Sequence, residues 1–312
     1  MAQTNLPAVN VIVLNWNNCE DTISCVQSLQ EQDYGNFSIV VIDNGSADDS
    51  YARLSQVAGI RLLRNATNLG YAGGNNAAMR AALDAGADYV WVFNNDATAA
   101  PDCLSKLVAA AEANPDAGLL SPVIYHKESP EKIQHCATRF DQRTCLFEEA
   151  PDIPTAQAWQ AGSPLNMALW GTALLFRRKT IETVGYFDDD FFAYFEDSDY
   201  SMRSCAAGFQ NVTVFDAAIW HHWPQGVRRP YYYYFVLRND LLMWRKHLSP
   251  WMRLKHRWWN FDRAKRLANT FRDSPEIANA CALGLWDGWT RKGGAYAAKP
   301  APWLARRLLG VA

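Results

Sequence analysis

Long apolar runs are missing from this chain. The longest, Met167–Phe176, is ten residues and is interrupted by Gly171 and Thr172. A bilayer-crossing helix needs about 20 such residues, so none is expected. The opening Met-Ala-Gln-Thr-Asn holds no basic stretch followed by an apolar one, so no secretion leader is expected. Cysteine is sparse and unpatterned: the seven are odd in number and form no Cys-x-x-Cys. That argues against a zinc ribbon or a disulfide framework and for reduced thiols in a cytoplasmic protein. Glycine motifs are also wanting. No Gly-x-x-x-x-Gly-Lys-Ser/Thr occurs, which excludes a P-loop. Gly70-Tyr71-Ala72-Gly73-Gly74-Asn75 lacks the Gly-x-Gly-x-x-Gly spacing and follows the third strand-like run instead of the first, which argues against a dinucleotide-dependent oxidoreductase.

What is present is a globular composition, with 49% hydrophobic and 20% charged residues over 312 positions. The formal charge of -2 hides an asymmetry. Residues 238–312 hold 15 of the 30 Lys and Arg but only five of the 32 Asp and Glu, and seven of the 13 tryptophans. An acidic body at 1–237 therefore precedes a basic, Trp-rich tail. Such a tail suits nucleic acid, an anionic membrane surface, or packing on its own body.

Short β-branched runs at Val9–Leu14, Phe37–Ile42, Ile60–Arg64 and Tyr89–Phe93 read as buried strands. Between and after them, 21–32, 50–57, 75–85 and 101–114 read as helices. This alternation predicts an α/β fold with a mostly parallel sheet and helices on both faces. Residues 121–162, with four prolines, read as irregular strands and loops over the sheet edge. Further strands are expected at 169–177 and 212–220, helices at 179–184 and 197–207, and helical structure from Tyr231 onward. Polar clusters follow the strands at 15–18, 43–46, 65–76 and 94–96. Ligands of such sheets bind beyond the carboxyl ends of the strands, so these clusters should line one crevice.

Three of these segments carry chemistry. Asn94-Asn95-Asp96 offers oxygen ligands to a hard cation such as Mg²⁺ or Mn²⁺, although the same triplet is ordinary turn chemistry. Glu196, Asp197 and Asp199 crowd the first turn of a helix beside Phe191, Phe192, Tyr194 and Phe195. Capping accounts for one or two of them, and a third suits a general base, kept ionised by the helix dipole. His221-His222 ends a strand, where an imidazole can join a carboxylate on a metal or serve as a structural hydrogen bonder.

In their order, the segments at Val11–Asn17, Val41–Ser46, Asn68–Asn76, Asn94–Asp96, Gly171–Thr172, Phe195–Asp199, Trp220–His221 and Leu237–Asn239 resemble the family 2 glycosyltransferases, which have a GT-A (Rossmann-like) fold. The look is nearest to bacterial rhamnosyltransferases and galactofuranosyltransferases that build surface polysaccharide such as O-antigen. The resemblance implies a catalytic domain over 1–237, with a nucleotide-binding half to about 120 and an acceptor half beyond it, and a helical appendage over 238–312. It implies that Leu14, Asn15 and Trp16 border the nucleotide base and that Asp43 accepts a base N–H. Asn68, Gly73, Asn75, Asn76 and Asn95 would also face the nucleotide, with Asp96 and His221 on a divalent cation, Mg²⁺ or Mn²⁺. Asn94 stands where many members have a first Asp. Trp170, Gly171 and Thr172 would floor the sugar and acceptor site. Asp197 would be the catalytic base, with Glu196 the second choice, and Arg238 would neutralise the departing diphosphate.

The implied reaction is an inverting transfer from a nucleotide-diphosphate sugar to a hydroxyl of a glycan or lipid-linked glycan. dTDP-rhamnose stands first as donor, with UDP-galactofuranose or another UDP-sugar as the alternative. The tail would then touch the inner face of the cell membrane or form an oligomer contact, with no nucleic-acid partner. A non-catalytic nucleotide-sugar-binding subunit is the competing class, and a nucleic-acid binder acting through the tail is another.

Overall fold

A computed structural model describes residues 6–311. The opening Met-Ala-Gln-Thr-Asn, read above as no leader, lies outside the described residues. The first half alternates: β1 (Val9–Asn15), α1 (Cys19–Gln30), β2 (Phe37–Asp43), α2 (Ser50–Leu54), β3 (Ile60–Arg64), α3 (Gly70–Asp84), β4 (Tyr89–Asn94), β5 (Ala97–Ala99), α4 (Cys103–Ala113) and β6 (Ala117–His126). A less regular stretch follows: β7 (Ser129–His135), β8 (Thr138–Asp141), β9 (Leu146–Glu149), α5 (Ile153–Gly162), β10 (Met167–Ala168), β11 (Ala173–Arg177), α6 (Arg178–Val184), α7 (Glu196–Ala206) and β12 (Gln210–His221). Helices complete the chain: α8 (Pro230–His247), α9 (Pro250–Thr270), α10 (Pro275–Thr290) and α11 (Trp303–Leu309).

The main sheet runs β3-β2-β1-β4-β11-β6-β12-β5, with β7 beside β6. β3, β2, β1, β4, β6 and β12 point the same way, while β11, β5 and β7 oppose them. The sheet is thus mostly parallel, as expected. Alternation along each strand sorts its residues onto two faces. Val9, Val11 and Val13 face one core with Leu29 of α1 and Leu104 and Leu107 of α4. Ile12, Val90 and Val92 face the other with Met79 and Ala82 of α3 and Tyr200 of α7.

Three local expectations are corrected. The helix expected at 75–85 begins at Gly70, because glycines and alanines let it lie close on the sheet. The stretch 121–162 is not only an edge: β6 is a central strand, and α5 is capped by Asp152, whose carboxylate accepts from Thr155 N at 2.8 Å. The division expected at 237/238 falls inside α8, which runs unbroken and contributes Tyr234, Phe235, Leu237 and Leu241 to a core shared with α9, α10 and α11. No helix among the described residues is long and apolar enough to cross a membrane.

Candidate functional site

Beyond the carboxyl ends of the parallel strands lies a cleft of about 620 Å³, in the range of small-molecule sites. All four polar clusters reach it, through Leu14, Trp16, Asn18, Asn44, Asn68, Gly70, Tyr71, Asn94, Asn95 and Asp96. The opposite wall is aromatic and comes from later in the chain: Phe192, Tyr194, Tyr231, Phe235 and Tyr296.

Behind the polar wall runs a buried hydrogen-bond network. Asn15 Nδ2 donates to Asp43 Oδ1 at 3.1 Å and to Ser46 Oγ at 3.2 Å, while Asn15 Oδ1 accepts from Thr22 Oγ1 at 2.8 Å. Asp43 Oδ2 accepts from Ser46 N at 3.3 Å and lies 3.4 Å from Arg64 Nε. Asn95 Nδ2 donates to Thr22 Oγ1 at 2.9 Å. Asn44 Nδ2 donates to Asn68 Oδ1 and to the Gly70 carbonyl, each at 3.0 Å. Leu14, Trp16, Asn68 and Asn95 line the cleft. Asn15 and Asp43 have no exposed surface and instead fix the loops that do.

Asn75, Asn76 and Gly73 are corrections of the same kind. Asn76 Nδ2 donates to the Phe187 carbonyl at 2.8 Å and to Asp189 Oδ1 at 2.7 Å, and its Oδ1 accepts from Phe187 N at 3.0 Å, stapling α3 to the segment before α7. Asn75 turns back onto the Tyr71 carbonyl of its own helix, and Gly73 is buried against Leu69. Asn75 and Asn76 are both fully buried, so neither side chain reaches the cleft.

At one edge of the cleft Asp96 meets His221. Asp96 Oδ1 lies 3.2 Å from His221 Nε2, and His221 Nδ1 lies 2.7 Å from Gln134 Oε1. A carboxamide oxygen beside Nδ1 leaves Nε2 as the nitrogen that faces the carboxylate. An imidazole nitrogen and a carboxylate oxygen at this spacing form an N/O pair that suits a divalent ion. Among the described residues no group of three His, Cys, Asp and Glu side chains could hold an ion by itself. The pair would leave the remaining positions to ligand oxygens or water.

The acidic helix start approaches from the other side. Asp197 is partly buried; its Oδ2 accepts from Gly171 N at 2.7 Å and its Oδ1 from Ser198 N at 2.6 Å. Tyr71 donates its hydroxyl to the Gly171 carbonyl, so Gly171 joins the acid to the cleft wall. Burial pushes the Tyr71 hydroxyl well above its ordinary range, and the charges of Glu196, Asp197 and Asp96 add to the effect. Burial also raises Asp197, against the hydrogen bonds from Gly171 and Ser198, and raises Glu196 further, with Asp197 adding to it. Glu196 Oε2 has no hydrogen-bond partner among the described residues. The helix dipole, expected to hold the acid low, is outweighed by desolvation. Asp199 differs: it is fully buried and meets Arg203, Lys246 and His247 at 2.8, 2.7 and 2.9 Å. It is structural.

Arg238 is the largest correction. Expected beside a diphosphate, it is fully buried. Its Nη2 donates to the Asp190 and Phe191 carbonyls at 2.9 and 2.7 Å, its Nη1 to the Gly294 carbonyl, and its Nε to Asn239 Oδ1 at 2.7 Å. It ties the segment before α7 to the C-terminal helices. Thr172 is buried, and its carbonyl accepts from Asn94 N at 2.8 Å. Trp170 stacks between His135 and Trp223, at centroid distances of 4.4 and 6.0 Å, behind the Gly171 corner.

The sequence reading left Asn44, Tyr71, Tyr231, Phe235 and Tyr296 without roles. Asn44 and Tyr71 lie inside motifs already singled out. The run Tyr231-Tyr232-Tyr233-Tyr234-Phe235 was a signal for the far wall, whereas nothing local marks Tyr296.

Residues 10–185, more than half of the chain, match the family model described as Glycosyl transferase family 2. An N-acetylglucosaminyl-diphospho-decaprenol L-rhamnosyltransferase of Mycobacterium tuberculosis is 32% identical over 204 residues, covering 59% of this chain and 66% of that protein. A galactofuranosyltransferase of the same species is 30% identical over 189 residues, covering 59% and 60%. The chain thus spans just under two thirds of the first relative's length and less of the second's. A mannosyltransferase from Pyrobaculum calidifontis, solved with GDP-Man and Mn²⁺, superposes on 98% of this chain and 79% of its own with a TM-score of 0.58. At 19% identity that likeness shows the fold, which is the expected GT-A architecture. By the family model, the chain belongs to glycosyl transferase family 2.

Proposed function

We propose that this chain is an inverting glycosyltransferase. It moves a sugar, rhamnose first among the candidates and galactofuranose second, from a nucleotide diphosphate to a hydroxyl of a lipid-linked glycan during surface polysaccharide synthesis. The observation that carries the reading is a nucleotide-sized cleft lined by Asp96 and Tyr71, with the Tyr71 hydroxyl and the Asp197 carboxylate both bonded to Gly171. The order rhamnose before galactofuranose follows the two mycobacterial relatives, and the first is named for a lipid-diphosphate acceptor.

Each part of the chain then has a task. Trp16 is half exposed and presents a flat apolar face at the cleft mouth, suited to a base. Asn18, Asn44, Asn68 and Asn95 supply amide groups along the polar wall. Among the described lining residues of this cleft there is no Lys or Arg. Asp96 and His221 fit a divalent ion, and such an ion would neutralise charge on the leaving diphosphate. Asp197, aimed by Gly171 N and Ser198 N, takes the proton from the acceptor hydroxyl. Its raised pKa makes it a stronger base than an ordinary aspartate, and the hydrogen bonds keep it from rotating away. Glu196, more deeply buried, holds the second place.

The test is thermal stabilisation by dTDP, UDP and GDP, each with and without Mn²⁺. A ligand that binds only the folded state raises its melting temperature. One nucleotide should give a shift that Mn²⁺ enlarges, and Asp96→Asn and His221→Ala should each abolish the enlargement. A folded protein that shifts with no nucleotide would refute the donor cleft.

A further inference from the structure

A second pocket lies away from the donor cleft, among the C-terminal helices. It has a volume of about 260 Å³ and is lined by Arg245 of α8, Arg253 and Arg257 of α9 and Arg291 at the end of α10, with His256 and Leu254. None of the four guanidiniums has a carboxylate partner among the described residues. The ion pairs of this region go elsewhere: His256 Nε2 lies 3.0 Å from Asp240 Oδ2, which also accepts from Asn260, and Asp287 accepts from Tyr234 and faces Lys292. Burial holds Arg245 below its ordinary range, and Arg291, Arg253 and Arg257 push it the same way, so the four charges sense one another. Like charges gathered without counter-charges form an anion site.

The pocket adjoins a groove of about 420 Å³ lined by Leu254, Arg257, Trp258, Phe261, Trp289 and Leu308, and the two share Leu254 and Arg257. Around the groove α9 and α11 expose a dense set of large apolar side chains. Trp251, Trp258 and Trp303 are each more than 60% exposed, and Trp259, Leu304 and Leu308 lie beside them. Lys255 sits over Trp251, and Arg307 over Trp303. Over its whole length α9 carries one acid, Asp262, which is paired with Arg266. Exposed tryptophans interleaved with basic residues match the chemistry of a bilayer interface.

We propose that the four-arginine pocket binds the phosphate of an anionic membrane lipid, with the adjoining tryptophan groove taking the start of its acyl chain. Charge complementarity fixes the first half and the shared lining residues the second. A soluble phosphate would need the pocket but not the exposed apolar rim. The inference is independent of which sugar the cleft takes.

Co-sedimentation of the full chain with phosphatidylcholine vesicles, with and without phosphatidylglycerol, tests it. The wild type should bind the anionic vesicles and bind the zwitterionic ones far less. Each basic residue at such a surface contributes about fivefold in partitioning, so Arg245→Gln with Arg291→Gln should lose about 25-fold. Arg263→Gln with Lys265→Gln removes the same charge from α9 outside the pocket and should lose no more than about fivefold. Equal losses in the two pairs would overturn the pocket and leave a diffuse basic surface. A wild type that ignores phosphatidylglycerol, yet is stabilised by inorganic pyrophosphate in a manner lost in the first pair, would overturn the lipid in favour of a soluble anion. If the first pair fails to fold, Arg257→Gln alone, on an exposed side chain, carries the same test at about fivefold.

Discussion

Asn239→Ala tests how the acidic helix is aimed. The segment before α7 holds three non-glycine residues with positive φ: Phe192 at 63°, Tyr194 at 69° and Phe195 at 73°. Such conformations cost roughly 1–2 kcal/mol each, so the segment stores about 3–6 kcal/mol that its surroundings must offset. Asn239 is fully buried and does much of this. Its Nδ2 donates to the carbonyls of Phe191, Ala193 and Tyr194 at 3.0, 2.7 and 2.7 Å. Two N–H groups serve these three carbonyls, and Oδ1 accepts from Arg238 Nε at 2.7 Å, so truncation removes the equivalent of three bonds worth about 1 kcal/mol each and leaves buried groups unpaired, a loss of about 3 kcal/mol. Unfolding entropy near 2.1 cal/mol/K per residue gives roughly 0.65 kcal/mol/K for a chain of this length, so the midpoint should fall by about 5 °C. Phe192 and Tyr194 line the cleft, and Phe195 immediately precedes Glu196 and Asp197. Release of the segment should therefore also lower kcat on the order of 10- to 100-fold, the usual effect of misplacing a catalytic group by a fraction of an ångström to an ångström. The assays are thermal melting and steady-state transfer. A variant that melts within about 1 °C of wild type and keeps its kcat would refute the argument that α8 holds this segment.

Asp197→Asn should reduce turnover by about 10²- to 10⁴-fold while nucleotide-induced stabilisation persists, whereas retained turnover would remove Asp197 as the base. Because burial raises its pKa in the folded protein, the acidic limb of the wild-type rate profile should lie above the usual aspartate range, with activity falling as pH drops through it; a limb at or below that range would contradict the geometry. For Asp199, burial acting alone would raise the pKa, but the His247 hydrogen bond and the charges of Arg203 and Lys246 bring it down to about 2. A depressed carboxyl stabilises the fold above its unfolded pKa, so on the order of 2 kcal/mol should be lost between about pH 4 and pH 2, and denaturant midpoints for Asp199→Asn should lack that step. Gly70→Ala should fail to fold stably or to bind nucleotide, because Gly70 has φ +77° and an added methyl meets the Phe192 carbonyl; normal expression and binding would count against the close approach of α3 to that segment.

Much of the first half was legible because its signals are local. Val9–Asn15, Phe37–Asp43 and Tyr89–Asn94 are β-branched or aromatic runs ending in Asn or Asp, and parallel topology brings those ends together whatever the later residues do. What could not be read is whether a polar side chain in such a motif points at a ligand or at its own scaffold. Asp43, Asn76 and Arg238 sit in segments that also supply lining residues, yet all three are fully buried and spent on holding loops. At about 100° per residue, Asn76 lies roughly 140° around α3 from Tyr71 and faces Phe187 behind the cleft, whereas Asn75 lies only about 40° from Tyr71 and is drawn back by its bond to the Tyr71 carbonyl. This is readable only once the helix is known to include Tyr71, and Gly-rich sequence conceals its start. Arg238 misled for another reason: its role was implied only by the family resemblance of Leu237–Asn239, and long-range carbonyls at 190, 191 and 294 reveal the other role.

The same carbonyls change the meaning of the charge asymmetry. The basic tail reads in sequence as an appendage to an acidic catalytic body. In the fold it completes the cleft: Ala295 and Tyr296 line it, Gly294 N donates to the Asp190 carbonyl at 2.9 Å, and Arg238 binds Gly294 and Asp190 at once. The segment that aims Asp197 is thus clamped between α8 and the stretch leading into α11. α11 in turn carries Trp303, Leu304 and Leu308, exposed apolar residues on the proposed lipid face. A contact that orders α11 against a bilayer would act on one end of a short covalent path whose other end, at Gly294, closes over the base-bearing segment. Anionic vesicles should therefore raise kcat in the wild type and leave it unchanged in the Arg245→Gln, Arg291→Gln pair. That distinction separates a tail that merely anchors the enzyme from one that also sets the geometry of its cleft.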